Sequence, residues 1–280
     1  MIVDFAGQSL DLSRPRVMGI LNVTPDSFSD GGRYLSLDAA EQQAERMLAD
    51  GADLLDIGGE STRPGAAAVS VDEEIARVVP VVERLKKRFD AVVSVDTSKP
   101  DVMRAAVAAG ADMINDVMAL SAPGALTTVA TLGVPVCLMH MQGEPRTMQQ
   151  APQYDDVVAD ILGYLEQRVS DCERAGIPRS RLLVDPGFGF GKTLDHNLAL
   201  LANLARFQKL GLPLLVGISR KSMLGAITDR AVEDRMAASV AAALIAVERG
   251  ARIVRVHDVA ETVDALKVWS AMMALAPGDG

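Results

Sequence analysis

Aromatic side chains are scarce in this sequence: one Trp, three Tyr and six Phe among 280 residues. The core must therefore be filled by Ala, Val, Leu, Ile and Met, drawn from an apolar content of 49%. Cysteine is rarer still. Cys137 and Cys172 are too few for a disulfide framework and lack zinc-ligand spacing, so Cys137 reads as a buried small hydrophobe rather than a nucleophile. Positive charge is in deficit, with 28 Lys and Arg against 37 Asp and Glu and a net charge of −9. That argues against non-specific binding to nucleic acid or to an anionic membrane. An anionic small substrate still fits if cations gather locally at its site. No apolar stretch reaches the roughly 18 residues of a membrane span, and Met1 to Leu12 has neither a basic start nor a continuous apolar run. The expected compartment is the cytoplasm.

What is present is rhythm. Short β-branched runs alternate with longer Ala-rich segments of helical period. The runs Val17–Leu21, Leu54–Ile57, Val92–Val95, Met113–Asp116, Val134–Met139, Leu182–Val184, Leu214–Ile218 and Ile253–Val256 predict eight strands. Most are continuously apolar, as parallel strands buried on both faces are. Helical patterns occupy Leu37–Asp50, Val71–Arg88, Asp101–Ala109, Tyr154–Ala175, Val232–Arg249 and Val259–Met273. Gly51, Gly110 and Gly250 each close a helix and lead straight into a strand. Such alternation gives a doubly wound sheet or a barrel. Eight units in this length favour an α/β (β/α)8 TIM barrel, a single domain over residues 1–280. Ahead of it, Ile2–Phe5 and Ser9–Leu12 predict a short β-hairpin plugging the barrel's bottom.

Chemistry in such barrels sits at the C-terminal ends of the strands. Those positions hold Asn22, Gly58-Gly59-Glu60, Asp96, Asn115 with Asp116, His140, Asp185, Ser219-Arg220-Lys221, and Arg255 with His257. Any one of them reads as readily as a residue capping the next helix; the whole set reads as a site. Asp96, Asp185 and Asn115 suit the donor-rich edge of a heterocycle. Arg220, Lys221, Arg255 and His257 suit phosphates or a carboxylate. There is no GxSxG, no Cys–His pairing and no HExxH, so acyl transfer and zinc hydrolysis lose ground. The stretch Asp185-Pro186-Gly187-Phe188-Gly189-Phe190-Gly191-Lys192-Thr193 has glycine at every second position and lacks the P-loop pattern. It reads as a flexible loop using Gly for turn geometry. His196 reads as structural, and His140 reads equally as a site residue or a structural one.

These residues resemble a known family. Gly19-Ile20-Leu21-Asn22-Val23-Thr24-Pro25-Asp26-Ser27-Phe28-Ser29-Asp30-Gly31-Gly32 is similar to the first signature of the dihydropteroate synthases, and Asp56-Ile57-Gly58-Gly59-Glu60-Ser61-Thr62-Arg63-Pro64-Gly65 to the second. Further matches are Ser94-Val95-Asp96-Thr97, Ile114-Asn115-Asp116-Val117, Asp185 to Lys192, Ser219-Arg220-Lys221-Ser222 and Arg255-Val256-His257-Asp258, in the family's order from end to end. Met118 departs from the small polar residue common there.

The resemblance implies a transferase that joins 6-hydroxymethyl-7,8-dihydropterin pyrophosphate to p-aminobenzoate, giving 7,8-dihydropteroate and pyrophosphate with Mg²⁺, in a protein that is commonly a homodimer. Carried over, Asp185 meets the pterin's amino-pyrimidine edge, Asn115 and Asp96 complete that recognition, and Lys221 reaches the ring face or its oxygen. Arg255 and His257 hold the pyrophosphate, with Asn22 and Asp30 on the metal. Thr62, Arg63 and Pro64 come from the second loop, Arg63 also facing the pyrophosphate. Phe28, Phe190 and Ser222 line the p-aminobenzoate pocket. The catalytic set is then Lys221, Arg255, His257 and Asp96. For Arg255 the alternative is a brace paired with Asp258. A methyltetrahydrofolate methyltransferase barrel would keep an Asp/Asn pterin pocket but has no reason for the Ser-Arg-Lys-Ser and Arg-x-His anion binders. A silent homologue would have lost Lys221 or Arg255.

Overall fold

The computed structural model describes residues 1–23, 33–61, 68–143, 147–149 and 151–275, with side chains in the first helix from residue 37. Strands β1 (Ile2–Phe5) and β2 (Gln8–Asp11) form the N-terminal antiparallel hairpin. Ala6 and Gly7 join them with φ of 51° and 99°, two left-handed residues whose twist suits a tight hairpin.

Eight strands follow: β3 (Arg16–Asn22), β4 (Leu54–Gly58), β5 (Val92–Asp96), β6 (Met113–Asp116), β7 (Val136–Met139), β8 (Leu182–Asp185), β9 (Leu214–Val216) and β10 (Ala251–Val256). They pair in parallel and close into a barrel, β10 returning to β3. Around it lie α1 (Arg33–Ala49), α2 (Val71–Arg88), α3 (Pro100–Ala108), α4 (Ala125–Leu132), α5 (Val157–Arg174), α6 (Leu194–Ala202), α7 (Ser222–Thr228), α8 (Met236–Glu248) and α9 (Val259–Met273). The expected TIM barrel is therefore the observed one.

Local chemistry sets the element ends. Ser70 accepts a hydrogen bond from the Glu73 amide to start α2, whose first turn is acidic and whose last turn is Lys86-Lys87-Arg88. Pro100 opens α3 where its missing N–H costs nothing. Three helices lie outside the expected ranges: α6, which opens on a capping box, and α4 and α7, both short and without a side-chain N-cap. The helix expected over Val232–Arg249 divides into a single tight turn, Val232–Asp234, and α8. Among the described residues no helix is long and apolar enough to cross a membrane.

The barrel's floor explains its stability. One interior residue from every barrel strand (Met18, Leu54, Val92, Met113, Cys137, Leu183, Leu215 and Ile253) packs with Val3, Phe5 and Leu12 of the hairpin segment in a single apolar cluster. Phe5 is fully buried there. The hairpin thus plugs the bottom, and Cys137 is a packing residue whose thiol burial pushes up. A second, larger apolar layer lies between barrel and helices.

Candidate active site

Side chains alternate along a strand, so the residue two beyond each floor residue faces the same interior. On β4, β5, β6, β8 and β10 that residue is Asp56, Ser94, Asn115, Asp185 and Arg255. One step higher come Asn22, Gly58, Asp96 and, just past β10, His257. An apolar floor therefore carries a polar storey, made by single substitutions within apolar strands.

The storey is wired together. Arg255 donates from Nε to Asp56 Oδ2 at 2.5 Å and from Nη2 to Asp96 Oδ2 at 3.2 Å. Asn115 Nδ2 donates to the same Asp56 oxygen at 3.2 Å. Asp56 is fully buried, and Asn115 and Asp185 nearly so. Among the described residues, neither Asp56 Oδ1 nor Ser94 Oγ has a hydrogen-bond partner, though they stand side by side in register on β4 and β5. Buried polar atoms left open in this way are unfavourable until something fills the space above them.

Electrostatics follow from that crowding. Burial raises the Asp96 pKa to about 7, with Arg255 pulling down and Asp56 pushing up. Burial also raises Asp185, against the opposing pull of Lys221. Lys221 is lowered to about 8 by its own burial, which Asp185 partly offsets. Burial would lower Arg255 too, but Asp56 and Asp96 more than compensate and its pKa rises. Three carboxylates thus share one interior with two cations, an arrangement suited to binding a polar, planar molecule bearing N–H donors.

Lys221 stands immediately before α7; its Nζ donates to the Phe188 carbonyl and lies 4.5 Å from the centroid of the Phe190 ring. Phe188 itself turns into the outer core and is fully buried, whereas Phe190 is half-buried. Ser222 is exposed at the start of α7. His257 Nδ1 and Ser219 Oγ lie 3.0 Å apart, and the His257 amide donates to the same hydroxyl. Asn22 lies against Gly58: a Cβ there would sit 3.4 Å from Asn22 Oδ1 and 4.0 Å from the Asp96 Cβ.

Several sequence expectations are sharpened or corrected. The brace to Asp258 is made by Arg220, not Arg255, with Nε–Oδ2 at 3.1 Å. Asp116, adjacent to Asn115, points the other way and accepts from the Met118 and Leu120 amides, shaping the loop after β6. His196 is structural, closing a capping box with Thr193 at the start of α6. The glycine loop after β8 is no loose turn. Gly187, Gly189 and Gly191 all have left-handed φ, 71°, 78° and 62°. Cβ atoms at Gly187 and Gly191 would sit 1.9 Å from the His140 carbonyl oxygen and 2.4 Å from that of Gln142. Phe28, Asp30, Thr62, Arg63 and Pro64 lie outside the described residues. Asp56 is a site residue the sequence reading did not name; an acid within Leu54-Leu55-Asp56-Ile57 on the same inward parity as Asn115 and Arg255 was the available signal.

Comparison with known proteins agrees with this architecture. The family of pterin binding enzymes matches residues 18–257. The dihydropteroate synthase of Escherichia coli K12 is 57% identical over 268 residues, covering 96% of this chain and 95% of that one. A solved Xanthomonas albilineans dihydropteroate synthase with 4-aminobenzoic acid is 58% identical with a TM-score of 0.93, covering 98% of this chain and 99% of the other. A second structure of that enzyme, in complex with 7,8-dihydropteroate, is 52% identical with a TM-score of 0.89, with the same coverage.

Proposed function

The chain belongs to the pterin-binding enzyme family, and on that premise we propose that it catalyses the dihydropteroate synthase reaction as one domain over residues 1–280. It is a transferase joining 6-hydroxymethyl-7,8-dihydropterin pyrophosphate to p-aminobenzoate. The observation that carries this reading is the wired storey of Asp56, Asp96, Asn115, Asp185, Lys221 and Arg255 above an apolar floor.

In this reading Asp185 receives the paired N–H donors of the pterin's amino-pyrimidine edge. Asn115, its amide oriented by Asp56, meets the adjoining ring atoms with Asp96 and Lys221. Binding in this water-poor interior favours charge on Asp96 and Lys221, because ligand donors and acceptors replace lost solvent. The bond from the pterin methylene to pyrophosphate oxygen breaks with its electron pair leaving on oxygen. The resulting cation is spread over the electron-rich ring and faces the Asp96 carboxylate. The aryl amine is already neutral, so no base is needed to unmask it; it attacks through its lone pair, and the proton then lost from the new C–N nitrogen passes to the departed pyrophosphate or to water. Arg255 uses the guanidinium N–H groups not taken by Asp56 and Asp96 on the departing pyrophosphate, with His257 and Arg63. Phe28, Thr62, Pro64, Phe190 and Ser222 surround p-aminobenzoate.

Magnesium fits the donor chemistry at the top of β3. Asn22 offers a hard oxygen beside Gly58 and Asp96, and Mg²⁺ favours one or two protein oxygens completed by substrate phosphate. Asn22 and Asp30 would hold it, and the bound ion would neutralise charge on the leaving group. Two cysteines that are free and buried support a cytoplasmic setting. Exposed Ile227, Met236, Ile245, Val268 and Met272 on α7 to α9 support a second copy as partner. Neither nucleic acid nor membrane is expected as a partner.

The test is pyrophosphate release by the purified protein with Mg²⁺. Release that requires both substrates together is expected. Equal release from the pterin pyrophosphate alone would overturn the reading.

A further inference from the structure

We infer that Lys192 and His140 form a buried clamp that positions Phe190 and so sets the affinity for the second substrate, p-aminobenzoate; the inference rests on the reading just given. Neither residue belongs to the storey that faces the pterin. Lys192 is the lysine at the end of the alternating glycine stretch, and only 3% of it is exposed. Its Nζ lies 2.9 Å from the Phe190 carbonyl, 3.0 Å from His140 Nδ1 and 3.4 Å from the His140 carbonyl. Three acceptors match the three N–H bonds of an ammonium group.

With Lys192 donating as an ammonium, His140 Nδ1 accepts through its lone pair and the ring proton sits on Nε2. Burial, then the nearby Lys192, hold the His140 pKa down to about 3, which keeps the ring neutral and the acceptor available. Burial likewise draws Lys192 well below its ordinary value, with Lys221 acting the same way and Asp185 opposing.

The clamp joins two loops that backbone contact already presses together. Gly187 and Gly191 leave no space for a Cβ against the His140 and Gln142 carbonyls, which follow β7. Asn197 holds the Gly189 amide at 2.7 Å. Lys192 reaches back to the Phe190 carbonyl, while the Phe190 ring meets Lys221. Asp185 and Asn115 are carried by their own strands, and the glycine arch touches the pterin's carboxylate at one point, the Gly187 amide donating to Asp185 Oδ1 at 2.7 Å. Loosening the arch at Lys192 therefore moves Phe190 more than it moves Asp185.

The experiment compares Lys192→Met, which keeps the stem but no donor, with His140→Leu and His140→Asn. The Asn Oδ1 takes the place of Nδ1 as an acceptor; Leu offers none. Hydrogen exchange of amides 187–191 in the ligand-free protein should quicken in K192M and H140L. The KM for p-aminobenzoate should rise about tenfold or more in both, while affinity for the pterin pyrophosphate falls by a clearly smaller factor. H140N should stay near wild type in both readouts. If K192M does not fold, the H140L and H140N pair decides. Unchanged exchange and KM, equal weakening of both substrates, or H140N behaving as H140L would overturn the clamp. A wild-type protein silent in pyrophosphate release would overturn the functional reading, and the exchange result would still test the clamp.

Discussion

The floor and the storey above it are built on the same strands, two residues apart, and differ in almost every physical respect. The floor gathers one apolar side chain from each of eight strands around Phe5. Its members are apolar and buried. The storey places Asp56, Asp96 and Asp185 in one interior with Arg255 and Lys221, raises two of those acids and lowers the lysine, and leaves Asp56 Oδ1 and Ser94 Oγ without a partner among the described residues. Stability comes from one level and chemistry from the next. The second is unfavourable in the free protein and becomes favourable when a ligand supplies the missing partners, which is how binding sites and folding compete for the same residues.

The comparison can be broken at either level. The largest effect is expected at the floor. Phe5→Ala should lower unfolding free energy by about 3–5 kcal/mol and leave turnover per folded molecule unchanged; denaturant titration beside an activity assay checks it, and a comparable loss of turnover would merge the two levels.

Next comes Arg255→Met in the storey. Turnover per folded molecule should fall roughly 10²–10³-fold. Stability should fall as well, because Asp56 and Asp96 lose their buried partner. Lowered stability with near-normal turnover would reduce Arg255 to a brace.

A smaller effect sharpens the contrast through pH. A carboxyl whose folded pKa exceeds its unfolded value binds more protons when folded, so its contribution to stability falls as pH rises between the two. For Asp96 that window runs from 3.8 to about 7. The Tm of Asp96→Asn, relative to wild type, should therefore climb through this window and level off above it. A flat difference would show that Asp96 ionises as an ordinary surface acid does.

The two levels also differ in how openly the sequence declares them. Parallel strands buried on both faces read as apolar runs, so all eight were legible, and the hairpin announced itself through Ala6-Gly7. Ends of strands carry polar residues, so Asp96, Asn115, Asp185, Lys221 and Arg255 were legible too. Asp56 was not, although it stands at the same level as Asn115 and Arg255, because a lone acid flanked by Leu55 and Ile57 reads as part of an apolar strand until the inward parity is known. Nor was Arg220's capture of Asp258, since strand order alone cannot say which of two arginines reaches a given acid. Helices α4 and α7 hid because eight and seven residues show too little periodicity without a capping side chain. The glycine arch was visible as a pattern, but its purpose depends on the loop after β7, which is remote in sequence.

The central claim is that the storey is held for a pterin at the expense of the free fold. The most direct test is Asp185→Asn, with pterin affinity by calorimetry and thermal stability measured on the same preparation. Asparagine turns a donor toward the ligand's own N–H, so affinity should fall by about 2–4 kcal/mol. Stability relative to wild type should hold or rise as pH climbs above the ordinary carboxyl value of 3.8, because a carboxylate whose pKa burial raises no longer has to ionise. Unchanged pterin affinity together with a lowered Tm would contradict the account.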